Sequence, residues 1–343
     1  MIKNASGIGS KYLVLKLVLK LFVLALPFMP LIAMYLIYDP DMVLKKYKRF
    51  DQSEFYLGEG YVGWQNYLNN RDSIPFNAFI MGNSCTMAFR TDEWEKYLPK
   101  GAKAVRFFEN GENLGGLHQK INALAEVNAQ LDHLLIVLDT KSFMETTPSL
   151  NVNRIFSPSS AGITETQLRI RYLQAFLSPK KCIPFLKYKI TQEYDPSMKH
   201  VVLETRPIRE PYTNNFLNPR EKEIEKEGIN YWNKHEEEFL RKKRHPGEIE
   251  SSVIFETQKK LLKDIKTVCD HNSTEIMIVI SPDYYQKRMN PADLKELQRI
   301  FSSNNVWDFS GDNIYTNDIQ HYYEPGHYRP LLGKKLLQDI YKE

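Results

Sequence analysis

The sequence predicts a three-layer α/β/α fold built on a mainly parallel sheet of five strands. Two observations support this prediction. From about residue 75 onward, short apolar runs alternate with stretches in which apolar residues recur every three or four positions, as expected of strands followed by amphipathic helices. The apolar runs lack the polar alternation of a half-exposed strand, so we expect strands buried on both faces, as in parallel sheets covered by helices.

Five apolar runs have the length expected of buried strands. They lie at residues 76–81, 103–108, 134–138, 276–280 and 306–309. Helical periodicity follows the second run at Leu117, Ile121 and Leu124, and the chain closes with a helical pattern at 329–341. The carboxyl ends of parallel strands meet at one edge of the sheet, so we expect reactive side chains at that edge.

A long segment, at about 140–252, separates the third strand from the fourth. It is too long for a loop, and it contains a helical pattern at 165–177 and a charged run at 220–228. We predict a large insertion that packs over the reactive edge of the sheet. The charged run is interpreted as a solvated helix face.

The N-terminal region predicts a membrane anchor. Residues 21–38 are uncharged and mostly apolar, and the apolar pattern starts upstream, where Lys16 and Lys20 could reach a headgroup layer. A cleaved signal peptide is the alternative, but the apolar region is long and no small-residue cleavage site follows it. The predicted organisation is a tail at 1–13, a transmembrane helix at 14–38, a juxtamembrane linker at 39–74 and an α/β domain at 75–343.

The charges that flank the anchor leave its orientation nearly balanced. Basic residues precede the span and also follow it closely, so the positive-inside rule gives little preference. Large domains translocate largely regardless of charge. We therefore expect a single-pass protein of the cytoplasmic membrane, with its α/β domain on the extracytoplasmic side and lipid contacts through the N-terminal helix.

Composition and cysteine spacing argue against several classes of protein. The chain has 343 residues, a formal net charge of +4 and 42% hydrophobic residues, which is enough for a core and gives no support for a nucleic-acid partner. The three cysteines, Cys85, Cys182 and Cys269, are far apart. Their spacing indicates neither a disulfide framework nor a metal site.

A candidate nucleophile follows the first predicted strand. Gly82, Asn83 and Ser84 end the apolar run, and Gly82 allows a tight turn there. A serine at this position would present its hydroxyl at the reactive edge of the sheet. The alternative is an ordinary turn or helix cap, for which Asn and Ser are common residues.

Two histidines near the C-terminus are candidate bases for that serine. Asp318 precedes His321 by three residues, and Glu324 precedes His327 by the same spacing. A carboxylate so placed can orient the imidazole through Nδ1–H and leave Nε2 free to accept a proton. The helix predicted just after His327 favours this histidine, and the pair Asp318 and His321 stays an alternative.

Together these motifs resemble the SGNH (GDSL-type) esterase and acyltransferase superfamily. The resemblance covers residues 75–140 and 250–343. The membrane span, and residues 322–337 in particular, look more like its envelope-anchored members, which include proteins similar to the D-alanine-transfer and alginate O-acetylation proteins. It implies an SGNH/flavodoxin-like fold in which Ser84 is the nucleophile and His327 the general base. Glu324 stands where the family usually has Asp. The resemblance also implies an oxyanion hole formed by the backbone N–H of Ser84 and that of Gly115 or Gly116.

Several positions depart from the family pattern. Asn83 stands where the family usually has Asp in its first motif. The third motif of the family falls on residues 138–143, which lack the Asn that usually donates to the oxyanion hole. Asn113 could substitute for that donor, and Asp139 could hydrogen-bond the site or simply cap a turn. The alternative for Gly115 and Gly116 is that they only begin the next helix.

The resemblance implies a membrane-anchored serine esterase or O-acyltransferase that acts on acyl groups of cell-envelope glycans, with no metal or organic cofactor. Expected partners are an acylated glycan or other ester, membrane lipid, and a membrane-bound acyltransferase. The alternative is a catalytically inactive protein of the same fold that binds glycan or partners in an export or assembly complex. A nucleotide-binding domain is excluded because residues 111–116 lack the spacing of a phosphate loop.

Overall fold

A five-stranded sheet in which every strand is parallel to its neighbours forms the centre of the fold. The computed structural model describes residues 13–20, 23, 26–206 and 208–342. The strands are β1 (Ala78–Gly82), β2 (Ala104–Phe108), β3 (His133–Leu138), β4 (Glu275–Ile280) and β5 (Val306–Asp308), in the spatial order β2-β1-β3-β4-β5. Helices cover both sides of the sheet, so the predicted α/β class with a parallel sheet is confirmed.

The described helices are mostly short. They are α1 (Met29–Tyr38), α2 (Glu59–Asn70), α3 (Thr91–Trp94), α4 (Leu114–Glu126), α5 (Glu165–Phe176), α6 (Pro179–Thr191), α7 (Pro219–Glu227), α8 (Asn230–Lys234), α9 (Glu236–Leu240), α10 (Glu256–His271), α11 (Pro291–Phe301), α12 (Ile314–Asn317) and α13 (Pro330–Tyr341). Residues 13–20 are also helical. A short antiparallel hairpin, β6 (Tyr322–Glu324) and β7 (His327–Tyr328), precedes α13.

Alternate side chains of the strands enter two separate apolar cores. In β1, Phe79 and Met81 lie in one core, and Ala78 and Ile80 lie in the other. The first core is closed by α4, α10 and α11, and the second by α13 together with residues of the long segment between β3 and β4. Burial of every residue of β1, β2 and β3 explains why these runs show no polar alternation.

The register places three strand ends level with one another. Gly82, the last residue of β1, pairs with Phe108 on one side and with Val137 on the other. Residues that follow β1, β2 and β3 therefore emerge at one edge of the sheet, as expected for parallel strands.

The chain divides into two compact units. The sheet and its helices belong to the larger unit, which comprises Tyr47–Gln52, Gly58–Ile163 and Thr205–Glu343. The smaller unit comprises Met1–Lys46, Ser53–Leu57 and Thr164–Glu204. Within the smaller unit, the Phe176 and Phe185 rings lie 5.0 Å apart, and Phe55 lies 5.2 Å from Phe185.

The predicted membrane segment is described only in part. Residues 1–12 of the predicted tail, and residues 21, 22, 24 and 25 of the predicted span at 14–38, lie outside the described residues. Of the helices that can be described, none combines the length and the apolar character required to cross a membrane. The predicted domain boundaries stay predictions.

Close packing of α13 fixes the turn that follows β1. A Cβ atom on Gly333 would lie 2.0 Å from the carbonyl oxygen of Ala88, so the absence of a side chain lets the helix lie directly against this turn. Since the C-terminal hairpin runs straight into α13, this contact also sets the position of the hairpin.

We expect Gly333→Ala to destabilise the protein, because the added methyl group must push α13 away from the backbone at Ala88. Overpacking of this kind typically costs about 1–3 kcal/mol. Gly63→Ala in α2 is the matched control, since its Cβ would meet only ordinary contacts at 3.7 Å and alanine favours a helix. Urea unfolding of both variants measures the difference, and equal stability of the two would contradict the packing argument.

Candidate active site

Ser84 begins a 3-10 helix, Ser84–Ala88, immediately beyond β1. Gly82 has a φ of 145°, and a Cβ atom there would lie 2.0 Å from the carbonyl oxygen of Val137, so only glycine fits this strand end. Asn83 caps the 3-10 helix by accepting the N–H of Cys85 at 2.9 Å. These local constraints leave Ser84 half-buried at the carboxyl edge of the sheet.

His327 lies on the hairpin that precedes α13. Tyr322 pairs with Tyr328 and Glu324 pairs with His327 across the two strands, so the carboxylate and the imidazole lie on opposed residues of the hairpin. Pro330 begins α13 two residues after the hairpin ends.

The structure brings Ser84, His327 and Glu324 together in one hydrogen-bonded line. The Ser84 Oγ lies 2.8 Å from Nε2 of His327, and Nδ1 of the same ring is hydrogen-bonded to Oε1 of Glu324. A carboxylate only accepts, so Nδ1 carries the proton and Nε2 is left to accept the hydroxyl proton of Ser84. The side chains of His327 and Glu324 are 32% and 26% exposed, so solvent reaches this line.

The alternative pair, Asp318 and His321, is arranged differently. Nδ1 of His321 lies 2.8 Å from the carbonyl oxygen of Tyr315, and its Nε2 lies 2.8 Å from Nζ of Lys335. Oδ2 of Asp318 lies 3.7 Å from Nε2 of the ring. The imidazole of His321 is buried with both nitrogens engaged, and these contacts do not include Ser84.

The predicted oxyanion-hole residues Asn113, Gly115 and Gly116 form the start of α4. Asn113 caps α4 by accepting the N–H of Gly116 at 2.9 Å, and its own amide donates to Glu145 and to the carbonyl of Thr147 at 3.1 Å each. A Cβ atom on Gly115 would lie 2.3 Å from the carbonyl oxygen of Thr146, so the loop backbone covers this glycine. These residues therefore begin α4, as the alternative interpretation expected. The N–H of Gly116 already donates to the Asn113 side chain.

Asn83 and Asp139 are linked through a residue that the sequence analysis did not select. The Asn83 amide lies 3.2 Å from Oγ of Ser142, and the Ser142 hydroxyl and N–H donate to Asp139 at 2.8 and 2.9 Å. Asp139 thereby caps the 3-10 helix at Thr140–Phe143. This chain joins the turn after β1 to the turn after β3, and it fixes the backbone on which Ser84 lies.

Arg220 is a second residue that sequence reasoning missed. It comes from the charged run of the insertion, and its Nη1 lies 3.2 Å from the Glu324 oxygen that does not face His327. Lys222, Glu225 and Lys226 of the same run are exposed, as expected for a solvated helix face. The pattern of the run gives no signal that its first residue faces inward.

Cys85 adjoins Ser84 and lines a neighbouring cavity of about 90 Å³. Desolvation and the Asp139 carboxylate raise the pKa of the Cys85 thiol well above its ordinary value. The residue therefore stays a protonated thiol at neutral pH, and the thiolate required for nucleophilic attack is scarce.

The buried hydroxyl of Tyr322, another residue of the cavity wall, has no hydrogen-bond partner among the described residues.

Glu109 is a buried carboxyl group close to the edge of the sheet. Its N–H donates to the carbonyl of Gly82 at 3.2 Å, and its Oε2 has no hydrogen-bond partner within the described part of the chain. Desolvation raises the pKa of Glu109 to about 8, aided by Glu112 and Glu59 and opposed by Lys120. Glu109 is therefore predominantly protonated in the folded protein at neutral pH.

We expect this group to make the folded state less stable as the pH rises toward 8. The unfolded chain releases the Glu109 proton near the ordinary pKa of 4.5, whereas the folded protein retains it up to about pH 8. Between these values the folded state binds more protons, so its stability falls by up to about 1.4 kcal/mol per pH unit. Denaturant unfolding at pH 5 and pH 8 measures this slope in the wild type and in Glu109→Gln.

Glu109→Gln should reduce the slope, because the amide imitates the protonated acid and does not titrate. The exposed Glu225→Gln serves as the control and should keep the wild-type slope. Identical pH dependence in all three proteins would show that Glu109 is ionised in the folded state.

Among the described residues, no group of three or more His, Cys, Asp or Glu side chains could hold a metal ion. Comparison with protein-family models, curated proteins and solved structures finds no match to this chain.

Proposed function

We propose that this chain is a serine esterase or O-acyltransferase that acts on acyl esters of cell-envelope glycans. The single observation that supports this most strongly is the line from Ser84 Oγ through the His327 ring to Glu324, with 2.8 Å between the hydroxyl and Nε2. A hydroxyl, an imidazole and an orienting carboxylate in this order are the elements of an activated serine nucleophile.

In the proposed reaction, Oγ of Ser84 attacks the ester carbonyl while Nε2 of His327 takes the hydroxyl proton. The tetrahedral intermediate collapses when the imidazolium returns that proton to the leaving alcohol, and the acyl group stays on Ser84. Water or a glycan hydroxyl then attacks the acyl-enzyme, with His327 again accepting the proton and returning it to Ser84. Glu324 stabilises the imidazolium in both halves.

Ser84 itself supplies a donor for the developing oxyanion. It lies at the first position of a 3-10 helix, where backbone N–H groups have no partner within the helix. A donor fixed in advance at this point stabilises the charge of the tetrahedral intermediate. Gly115, whose Cα packs against the Thr146 carbonyl, remains the candidate for a second donor.

The proposed family is the SGNH (GDSL-type) superfamily. The order of the elements supports it: Gly-x-Ser begins at the last residue of β1 of a parallel sheet, and a carboxylate precedes His327 by three residues just before the C-terminal helix. Glu324 departs from the Asp of the family, yet its extra methylene still lets the carboxylate reach Nδ1.

We further propose that the N-terminal segment anchors the protein in the cytoplasmic membrane, with the α/β domain on the extracytoplasmic side. Large apolar side chains are exposed along 13–20 and α1; Leu13 and Ile37 are each 67% exposed. Exposed apolar surface of this kind is typical of membrane or partner contacts. A membrane-bound acyltransferase that supplies the acyl group is the partner that this proposal implies.

One observation favours the second candidate, a non-catalytic glycan-binding or assembly protein of the same fold. The Gly116 N–H and the Asn113 amide are both occupied, and Gly115 is covered by a loop backbone. Loss of one oxyanion donor costs about 10²- to 10³-fold in rate, so a chain without these two donors would be a poor enzyme.

A fluorophosphonate probe separates the two candidates, since it reacts with serine hydroxyls activated by a neighbouring base. We expect the full-length protein to be labelled, and labelling to disappear in Ser84→Ala. His327→Gln should slow labelling by about 10²- to 10⁴-fold, the usual contribution of a general base. Gel fluorescence against time gives the rates.

Two matched variants control this experiment. His321→Gln changes the histidine that does not contact Ser84, and Cys85→Ala changes the residue beside the nucleophile; both should keep nearly wild-type labelling. Folded wild-type protein that resists the probe would reject the enzyme and favour the binding protein.

A further inference from the structure

The C-terminal hairpin that bears Glu324 and His327 is held by a segment of the insertion. Helices α7, α8 and α9 form this segment, residues 219–240, which we call the clamp segment. The hydroxyl of Tyr231 donates to the carbonyl of Tyr323 at 2.7 Å, and Nε1 of Trp232 donates to the carbonyl of Tyr322 at 3.0 Å. The clamp segment therefore bonds to the backbone of β6 just before Glu324.

Arg220 is the residue of the clamp segment that reaches the carboxylate itself. Its Nη1 lies 3.2 Å from Oε2 of Glu324 and donates to the Tyr323 carbonyl at 3.2 Å. The guanidinium is oriented in turn by Glu238, whose two oxygens accept from Nη1 and Nη2 at 2.9 and 3.1 Å. A paired contact of this kind fixes the plane of the guanidinium as well as its position.

The two oxygens of Glu324 have different partners. Oε1 is hydrogen-bonded to Nδ1 of His327, and Oε2 faces Arg220. A glutamate has one more rotatable bond than an aspartate, so its carboxylate loses more freedom when it is held in line with an imidazole. Arg220 restricts that freedom because its Nη1 lies against Oε2, the Glu324 oxygen that is not hydrogen-bonded to His327.

We infer that Arg220 is a positioning residue for the reaction at Ser84, acting through Glu324. This inference rests on the proposed function. Arg220 holds the carboxylate in the orientation that keeps the Nδ1 proton of His327 in place and directs Nε2 at the Ser84 hydroxyl. It touches neither the hydroxyl nor the imidazole, so its effect falls on the rate of the chemical step and leaves substrate binding unchanged.

The chain offers a matched control for this inference. Arg329 joins the same helix to the same C-terminal segment, since its Nε lies 3.2 Å from Glu221. Its described contacts do not include Glu324 or His327. Loss of Arg220 and loss of Arg329 should each loosen α7, but only the first removes a contact of the carboxylate.

The test compares full-length wild type with Arg220→Met, Arg220→Lys, Glu238→Gln and Arg329→Met. Fluorophosphonate labelling rates, and kcat and KM for p-nitrophenyl acetate, are measured for each. We expect Arg220→Met to lower the labelling rate and kcat by about 10- to 100-fold, the cost of a misplaced catalytic group, with KM within about twofold of wild type. Arg220→Lys should recover part of the loss, and Arg329→Met should stay close to wild type.

Glu238→Gln keeps the test decisive if Arg220→Met fails to fold, because it disturbs the orientation of Arg220 from outside the catalytic line. A severalfold lower kcat at unchanged KM in this variant supports the inference, and wild-type kcat overturns it. Equal losses in Arg220→Met and Arg329→Met would overturn it as well, since docking of the helix would then explain both. Wild-type protein that is never labelled would overturn the proposed function and this inference together, whereas equal labelling of wild type and Arg220→Met would overturn the inference alone.

Discussion

The hydrogen bond between Ser84 Oγ and His327 Nε2 is the contact on which the rest of the site depends. It joins residues 243 positions apart in the chain. Such a contact requires the parallel sheet to bring the end of its first strand to the edge where the C-terminal hairpin arrives. It also requires α13 to lie so close to the turn after β1 that a methyl group at Gly333 would meet the backbone of Ala88.

Charge around this hydrogen bond is distributed among several elements. Glu324 has His327 on one oxygen and Arg220 on the other, and Glu238 shares the guanidinium. The carboxylate is thus compensated on both sides, which limits the cost of holding it half-buried. The long segment between β3 and β4 is therefore part of the site, because it supplies Arg220 and Glu238 to a hairpin that lies far along the chain.

Much of the fold could be predicted from the sequence, because the buried strands are mostly apolar and the covering helices repeat their apolar residues every three or four positions. Ser84 could be selected because it directly follows an apolar run, and His327 because Glu324 precedes it by three residues and a helical pattern follows it. The residues that support these two side chains could not be predicted from the sequence. Arg220 stands in a run that is otherwise typical of a solvated helix. Ser142 becomes important only once the turns after β1 and β3 are adjacent, and nothing in the residue pattern indicates that Glu109 is buried.

The predicted oxyanion-hole residues at 113–116 show the same limit. Gly115, Gly116 and Asn113 were selected as oxyanion donors, and in the structure they form the start of α4 beneath a loop whose path no local pattern specifies. Which backbone N–H groups stay accessible depends on how residues 144–150 pass over this helix start. That property belongs to tertiary packing.

The most direct test of the central claim is to trap the acyl-enzyme. The full-length protein is mixed with p-nitrophenyl acetate, quenched in acid after a short interval, digested and examined by peptide mass spectrometry. The account predicts one acetyl group on the hydroxyl of Ser84, absent from the matching peptide of Ser84→Ala. Acetylation confined to other residues, or no stoichiometric acetylation of the folded wild-type protein, would contradict it.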